Sequence, residues 1–177
     1  WQSSLKSVPF EKALPDPKRV AILCVDLIVG FAYQGTLSSP RVAGIVPPIV
    51  SLFEKAKTSG VEHFVLIQDC HDEDTPEFDS YGSHCVCSTP EAQTVPELMD
   101  LEFSDRFSVI PKNSISSFIG TKLDAWLNAR HQDLDTFVVV GDCTDLCTHQ
   151  LAMHLRLRAN AHHYDHRVIV PANCTQT

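Results

Sequence analysis

Nowhere along this chain does an apolar run approach the roughly 18 to 20 residues that a membrane-spanning helix requires. Its opening, Trp1 to Val20, has no basic segment leading into an apolar one. Those absences argue against an embedded protein and against a secretory leader. A dense block of lysine and arginine is missing too, and the formal charge of −8 has the wrong sign for a protein that tracks nucleic-acid phosphates. No internal repeat and no low-complexity tract occurs. The expected partner is a small molecule, with neither nucleic acid nor membrane involved.

Cysteine is present, but in an odd number: seven, at Cys24, Cys70, Cys85, Cys87, Cys143, Cys147 and Cys174. A chain of this size does not need disulfide staples, so the count points to a reducing compartment and a cytoplasmic location. With 177 residues and 44% hydrophobic content, residues 1–177 read as a single domain. A domain of this size buries roughly 70% of its unfolded surface. Because the chain starts at Trp1 and stops just after a strand-like run, residues are expected beyond one or both ends, including a final helix.

Four short β-branched apolar runs stand out: Val20 to Val25, His63 to Ile67, Thr136 to Val140 and Arg167 to Val170. Each reads as a buried parallel strand. Phe107 to Ile110, ending at Pro111, is a weaker fifth. Helix-period segments lie between them at Pro47 to Thr58, Lys122 to Arg130 and Thr148 to Ala161. Strand and helix in alternation predict an α/β fold, three-layered and doubly wound around a mostly parallel sheet. One long irregular stretch, Asp69 to Leu101, starts at a strand end, the edge where such sheets bind ligands.

Three chemically capable residues fall at that same edge. Asp26 ends the first strand, Lys112 follows the Phe107 run, and Cys147 follows the Thr136 run at a helix start, where free N–H groups and the helix dipole favour a thiolate. Taken singly, each also fits a plainer role: a cap for Asp26, a solvated charge for Lys112, a small buried hydrophobe for Cys147. It is their arrival together at three strand ends that singles them out. The loop adds Asp69, His71, Glu77 and His84, two imidazoles and two carboxylates suited to a borderline metal, although an acidic solvated loop has the same composition.

Other features carry less. A four-cysteine zinc site is weak on the spacing of Cys85, Cys87, Cys143 and Cys147. His162, His163 and His166 sit where a helix C-terminus attracts positive charge. His149, two positions from Cys147 on one helix, is poorly placed as a papain-like base.

Cys24-Val25-Asp26-Leu27-Ile28-Val29-Gly30-Phe31, Pro111-Lys112-Asn113-Ser114 and Gly141-Asp142-Cys143-Thr144-Asp145-Leu146-Cys147 resemble, in order and spacing, the three catalytic blocks of the isochorismatase-like cysteine hydrolases. The resemblance runs over roughly Arg19 to Thr175 and implies a triad of Asp26, Lys112 and Cys147. It also implies a cis bond joining Asp142 to Cys143, and an oxyanion hole built from the N–H groups of Cys143 and Cys147.

Within that superfamily the loop is similar to that of nicotinamidases. The likeness implies metal ligands at Asp69, His71, Glu77 and His84, aromatic walls at Phe31 and Tyr81, and a divalent metal, zinc ahead of iron or manganese. The implied activity is hydrolysis of nicotinamide to nicotinate and ammonia through a thioester, in a homo-oligomer. Two alternatives stay open: a metal-free amidase acting on a carbamoyl or ureido compound, and a catalytically silent binding module.

Overall fold

The structure, a computed structural model, describes residue 4 and residues 7–177; Trp1, where the expectation about the N-terminus begins, lies outside them. Strand β1 (Val20–Val25) is buried along its whole length, because its side chains feed two cores at once. Val20, Ile22 and Cys24 point to one face, while Ala21, Leu23 and Val25 point to the other, the period-2 alternation of a strand covered on both sides. Strands β2 (His63–Asp69), β3 (Ser108–Lys112), β4 (Thr136–Asp142), β5 (Arg167–Ile169) and β6 (Thr175–Gln176) complete the sheet. Its order is β3-β2-β1-β4-β5, with β6 pairing β4, and every pairing is parallel.

Helical segments α1 (Phe10–Ala13), α2 (Val29–Ala32), α3 (Pro40–Ala43), α4 (Val46–Ser59), α5 (Phe78–Tyr81), α6 (Pro96–Met99), α7 (Leu123–Asn128) and α8 (Cys147–His162) fill the connections. Helix α4 covers the first face with Val46, Ile49, Phe53 and Ala56. The second is covered by Leu123 and Leu127 of α7 and by Leu151 and Leu155 of α8. This is the expected three-layer, doubly wound α/β fold. Gly60 closes α4 in the left-handed region (φ 103°), its N–H donating to Ala56 and Lys57, as helix C-termini commonly end.

The expected strands and long helices are present, with shifted ends. The clearest difference is β3, which continues through Pro111 to Lys112. As the outer strand it has no neighbour on one side, so the missing prolyl N–H costs no ladder bond. Lys112 therefore stands in register with Asp69 of β2. At the sheet centre, Gly141 has φ +113°, and a Cβ there would lie 1.9 Å from the Val25 carbonyl oxygen. Only glycine fits so close an approach.

Among the described residues no helix is long and apolar enough to cross a membrane. The reading that a chain of this size does not need disulfide staples meets one exception, because Cys70 and Cys87 form a disulfide. Counting cysteines cannot detect a loop that returns to its start. Here His71 bridges Val86 and brings the two Cα atoms to 4.5 Å.

Candidate active site

Adjacent β1, β2, β3 and β4 end along one edge, and each delivers a polar group there. Asp26 leaves β1 in the left-handed region (φ 52°), turned so that Oδ1 accepts the Asp69 N–H at 2.8 Å. From the end of β3, Lys112 Nζ reaches Asp26 Oδ2 at 2.9 Å and Asp69 Oδ1 at 2.5 Å. It also stands 3.6 Å from Cys147 Sγ. Lys112 is 2% exposed, Asp26 1% and Asp69 2%, so these charges interact without the screening that makes surface pairs weak.

One ammonium facing two buried carboxylates leaves an excess negative charge, and the protonation of the group follows from that imbalance. Burial, then the charge of Asp69, pushes Asp26 up to about 7, against the pull of Lys112. For Asp69, burial works upward, but the charge of Lys112 and the bonds from His71 and Lys112 outweigh it and lower its pKa. Burial disfavours charge on Lys112, yet the two carboxylates prevail and raise it well above the ordinary lysine value. Burial also raises the Cys147 thiol, Asp26 adds to the rise, and Lys112 opposes it. Burial beside carboxylates thus opposes the thiolate that the helix start favours, and Lys112 pulls the other way.

Cys147 is the first residue of α8, and the preceding Leu146 supplies no side-chain cap. The peptide bond from Asp142 to Cys143 is cis, as the resemblance implies. The Cys143 carbonyl accepts from Leu146 and Thr148, which fixes the turn. Among the described residues the N–H groups of Cys143 and Cys147 donate to no protein acceptor, which leaves two donors beside the thiol for a ligand oxygen.

Next to this group, ligand atoms of Asp69, His71 and His84 lie within 4.8 Å of one another. His71 Nδ1 meets Asn113 Oδ1 at 3.1 Å, and His84 Nδ1 meets the Gly82 carbonyl at 2.8 Å. With each Nδ1–H donating outward, both Nε2 lone pairs are left for a metal, the usual outer-shell arrangement. His71 is wholly buried, and its Nε2 faces Asp69 Oδ1 at 3.4 Å without a well-formed hydrogen bond. Two imidazoles and a carboxylate, with one buried nitrogen unsatisfied, fit a divalent ion with open positions.

Glu77 is not grouped with these three ligand atoms, although its charge acts on His71. Its Oε2 accepts the Ile115 N–H at 3.2 Å, which pins the loop to the segment after β3. Phe31 is buried, with its ring 5.7 Å from that of His84. Tyr81, by contrast, is 38% exposed.

Several neighbours were given no chemical role in the sequence reading. Phe78 packs against both imidazoles, at 5.4 Å from His71 and 5.5 Å from His84; a phenylalanine in an acidic loop was its only signal. Asn113 orients His71, and it directly follows Lys112. Glu91 accepts the Cys85 N–H at 3.0 Å and supports the left-handed turn at Cys85 (φ 46°). Asp142 is buried with Oδ1 unpartnered, and burial, then Asp26 and Asp69, push its carboxyl well above the usual range.

The chain belongs to the isochorismatase family: the Isochorismatase domain profile matches residues 20–177. Nicotinamidase 1 of Arabidopsis thaliana is 34% identical over 157 residues, covering 80% of this chain and 64% of the relative. The chain thus spans just under two thirds of that protein's length. Among solved structures, N-carbamoylsarcosine amidase from Thermoplasma acidophilum superposes with a TM-score of 0.76 at 26% identity, over 90% of this chain and 84% of that one. Pyrazinamidase of Pyrococcus horikoshii in complex with zinc gives 0.72 at 26% identity, over 89% and 86%.

Proposed function

We propose that the protein is a metal-dependent cysteine amidohydrolase that converts nicotinamide to nicotinate and ammonia. The observation that carries this reading is the Asp69–His71–His84 cluster sharing Asp69 with the Lys112–Asp26–Cys147 group. The likeness to Nicotinamidase 1 and to the zinc-bound pyrazinamidase supports it. A divalent metal, zinc ahead of iron or manganese, held by Asp69, His71 and His84, would supply a Lewis acid with an open position for a ring nitrogen. Phe31 and Tyr81 would flank the ring.

Asp26 accepts the Cys147 proton as Sγ bonds to the amide carbon, while Lys112 offsets the developing negative charge. The N–H groups of Cys143 and Cys147 hold the resulting oxyanion, a contribution worth about 10²- to 10³-fold per donor in comparable sites. When the C–N bond breaks, the proton on Asp26 passes to the departing nitrogen and ammonia leaves. Water, giving its proton to Asp26, then attacks the thioester, which releases the acid and restores the thiol.

Ammonia release from nicotinamide, measured on chelator-stripped protein and after return of zinc, iron or manganese, tests the reading. Metal-dependent release is the expected result. No release under any metal condition would favour a second reading, a carbamoyl or ureido amidase, which the likeness to N-carbamoylsarcosine amidase supports. Cytoplasmic location and a homo-oligomeric state remain part of the proposal, the latter open to light scattering.

A further inference from the structure

The one disulfide among the described residues joins Cys70 to Cys87, whereas Cys24, Cys85, Cys143, Cys147 and Cys174 stay unpaired. Its position is unusual. Cys70 lies between Asp69 and His71, two of the three residues of the metal cluster, and Cys87 lies shortly after His84, the third. Along the chain, the stretch from Asp72 to Ser83 separates the two histidines. Across the bridge, only Cys70, Cys87, Val86 and Cys85 do. The cross-link thus greatly shortens the path that holds two rings whose centroids are 4.7 Å apart, and a shorter path loses less entropy when its ends are brought together.

Besides the bridge, the loop is held by Phe78 packed on the two imidazoles, by Phe31 against His84 and by a few hydrogen bonds. His71 and Cys87 exchange backbone bonds with the Cys85 and His71 carbonyls at 3.0 and 2.9 Å. Thr36 donates to the Ser83 carbonyl, Glu77 accepts from Ile115, and Asn113 clasps Asp72. Most residues from Asp72 to Ser83 are exposed or half-buried, and Cys70 and Cys87 are themselves half-buried. The bridge thus lies nearer the surface than the buried Cys24 and Cys85. A domain with two full hydrophobic cores has no general need of one surface staple.

We infer that Cys70 and Cys87 form a thiol–disulfide exchange site, open to a dithiol reductant, that sets how firmly His84 is held against His71 and so how tightly the cluster binds metal. The inference rests on the metal-dependent reading of the site. In the exchange, a reductant thiolate attacks one bridge sulfur, the Cys70–Cys87 bond breaks, and the released sulfur takes a proton. The reductant's second thiol then displaces the other cysteine from the mixed disulfide. Two electrons pass to the protein, two protons end on Cys70 and Cys87, and the reductant leaves as its own disulfide.

The test measures zinc affinity by competition with a chromogenic chelator for three samples: oxidised protein, protein reduced with a phosphine and desalted without oxygen, and the Cys70→Ser/Cys87→Ser double variant. Amide hydrogen exchange over Asp72 to Ser83 is followed in the same samples. Reduction should weaken zinc binding on the order of tenfold, the low end of what losing an outer-shell support costs, and should speed exchange in the loop. The double variant should match the reduced protein and ignore reductant, and reoxidation should restore only the wild type. Equal or tighter zinc binding after reduction would overturn the inference while leaving the metal reading intact. If no sample binds zinc the metal reading itself fails, and unchanged loop exchange in those samples would remove the tether as well.

Discussion

The Lys112 ammonium stands 3.6 Å from the Cys147 sulfur yet is claimed first by carboxylates, being 2.9 Å from Asp26 and 2.5 Å from Asp69. This priority weakens the pull of Lys112 on the sulfur, whose pKa burial and Asp26 raise. It also makes Asp26, rather than Lys112, the group whose ionisation controls whether the sulfur can lose its proton.

Activity should therefore rise with pH through neutrality. Burial and the charge of Asp69 push Asp26 up to about 7 from the ordinary 3.8, and a cation held by Asp69 would draw it back down, so its base form grows with pH up to neutrality, with a tenfold change per unit. The expected kcat/KM profile climbs with an apparent pKa at or below about 7 that belongs to the coupled carboxylate pair. Alkylation of Cys147 by iodoacetamide should be slow at pH 7 and accelerate upward. A flat profile from pH 5 to 8 would contradict this assignment of the base.

Replacing the nucleophile should separate chemistry from binding. Cys147→Ala is expected to lower ammonia release by at least about 10³-fold, as loss of a covalent nucleophile does elsewhere. Metal content and the far-ultraviolet spectrum should be unchanged, because the sulfur is not among the Asp69, His71 and His84 ligands. Retained turnover would remove Cys147 from its role.

Loss of an imidazole should act on the metal first. His84→Ala and His71→Ala should each bring the metal found by elemental analysis well below one ion per chain. Asn113→Ala removes the partner of His71 Nδ1 and should weaken affinity by about 10- to 100-fold. Full metal content in the histidine variants would show that the ion, if bound, lies elsewhere.

Lys112→Met tests stability. In metal-free protein it leaves Asp26 buried without its ammonium and Asp69 with only His71 beside it, and removing one partner of a buried pair costs about 3 to 5 kcal/mol. Urea denaturation should show that loss, and adding Asp69→Asn should recover part of it, since the two sites are in direct contact. A Lys112→Met protein as stable as the parent would mean the carboxylates shed their charge at little cost.

Much of this was legible in the sequence, for identifiable reasons. Val20–Val25 and Thr136–Asp142 are β-branched runs bounded by turns, so their strand character is local. Asp26, Lys112 and Cys147 could be linked because each sits at a strand end, and parallel order then brings those ends to one edge. What could not be read depends on how a loop returns. The Cys70–Cys87 bridge, the diversion of Glu77 to the Ile115 N–H, and the packing of Phe78 on the imidazoles all arise where Asp72 to Ser83 folds back on β2. The raised Cys147 thiol was hidden for another reason: a helix start favours a thiolate, and only burial beside carboxylates reverses that preference.

Gly141 lets the centre of the sheet close up. With the Val25 carbonyl where a Cβ would go, any side chain at this position would push β4 away from β1, and Asp26 and the Cys143–Cys147 turn that follow them would shift with it. A lineage adapting this scaffold to a differently shaped amide keeps the reacting groups at their present spacing only while glycine stays here. Diversification is confined to the surrounding walls, the turn bearing Phe31 and the loop bearing Phe78 and Tyr81, while the reacting groups remain a fixed reference around which new pockets are cut.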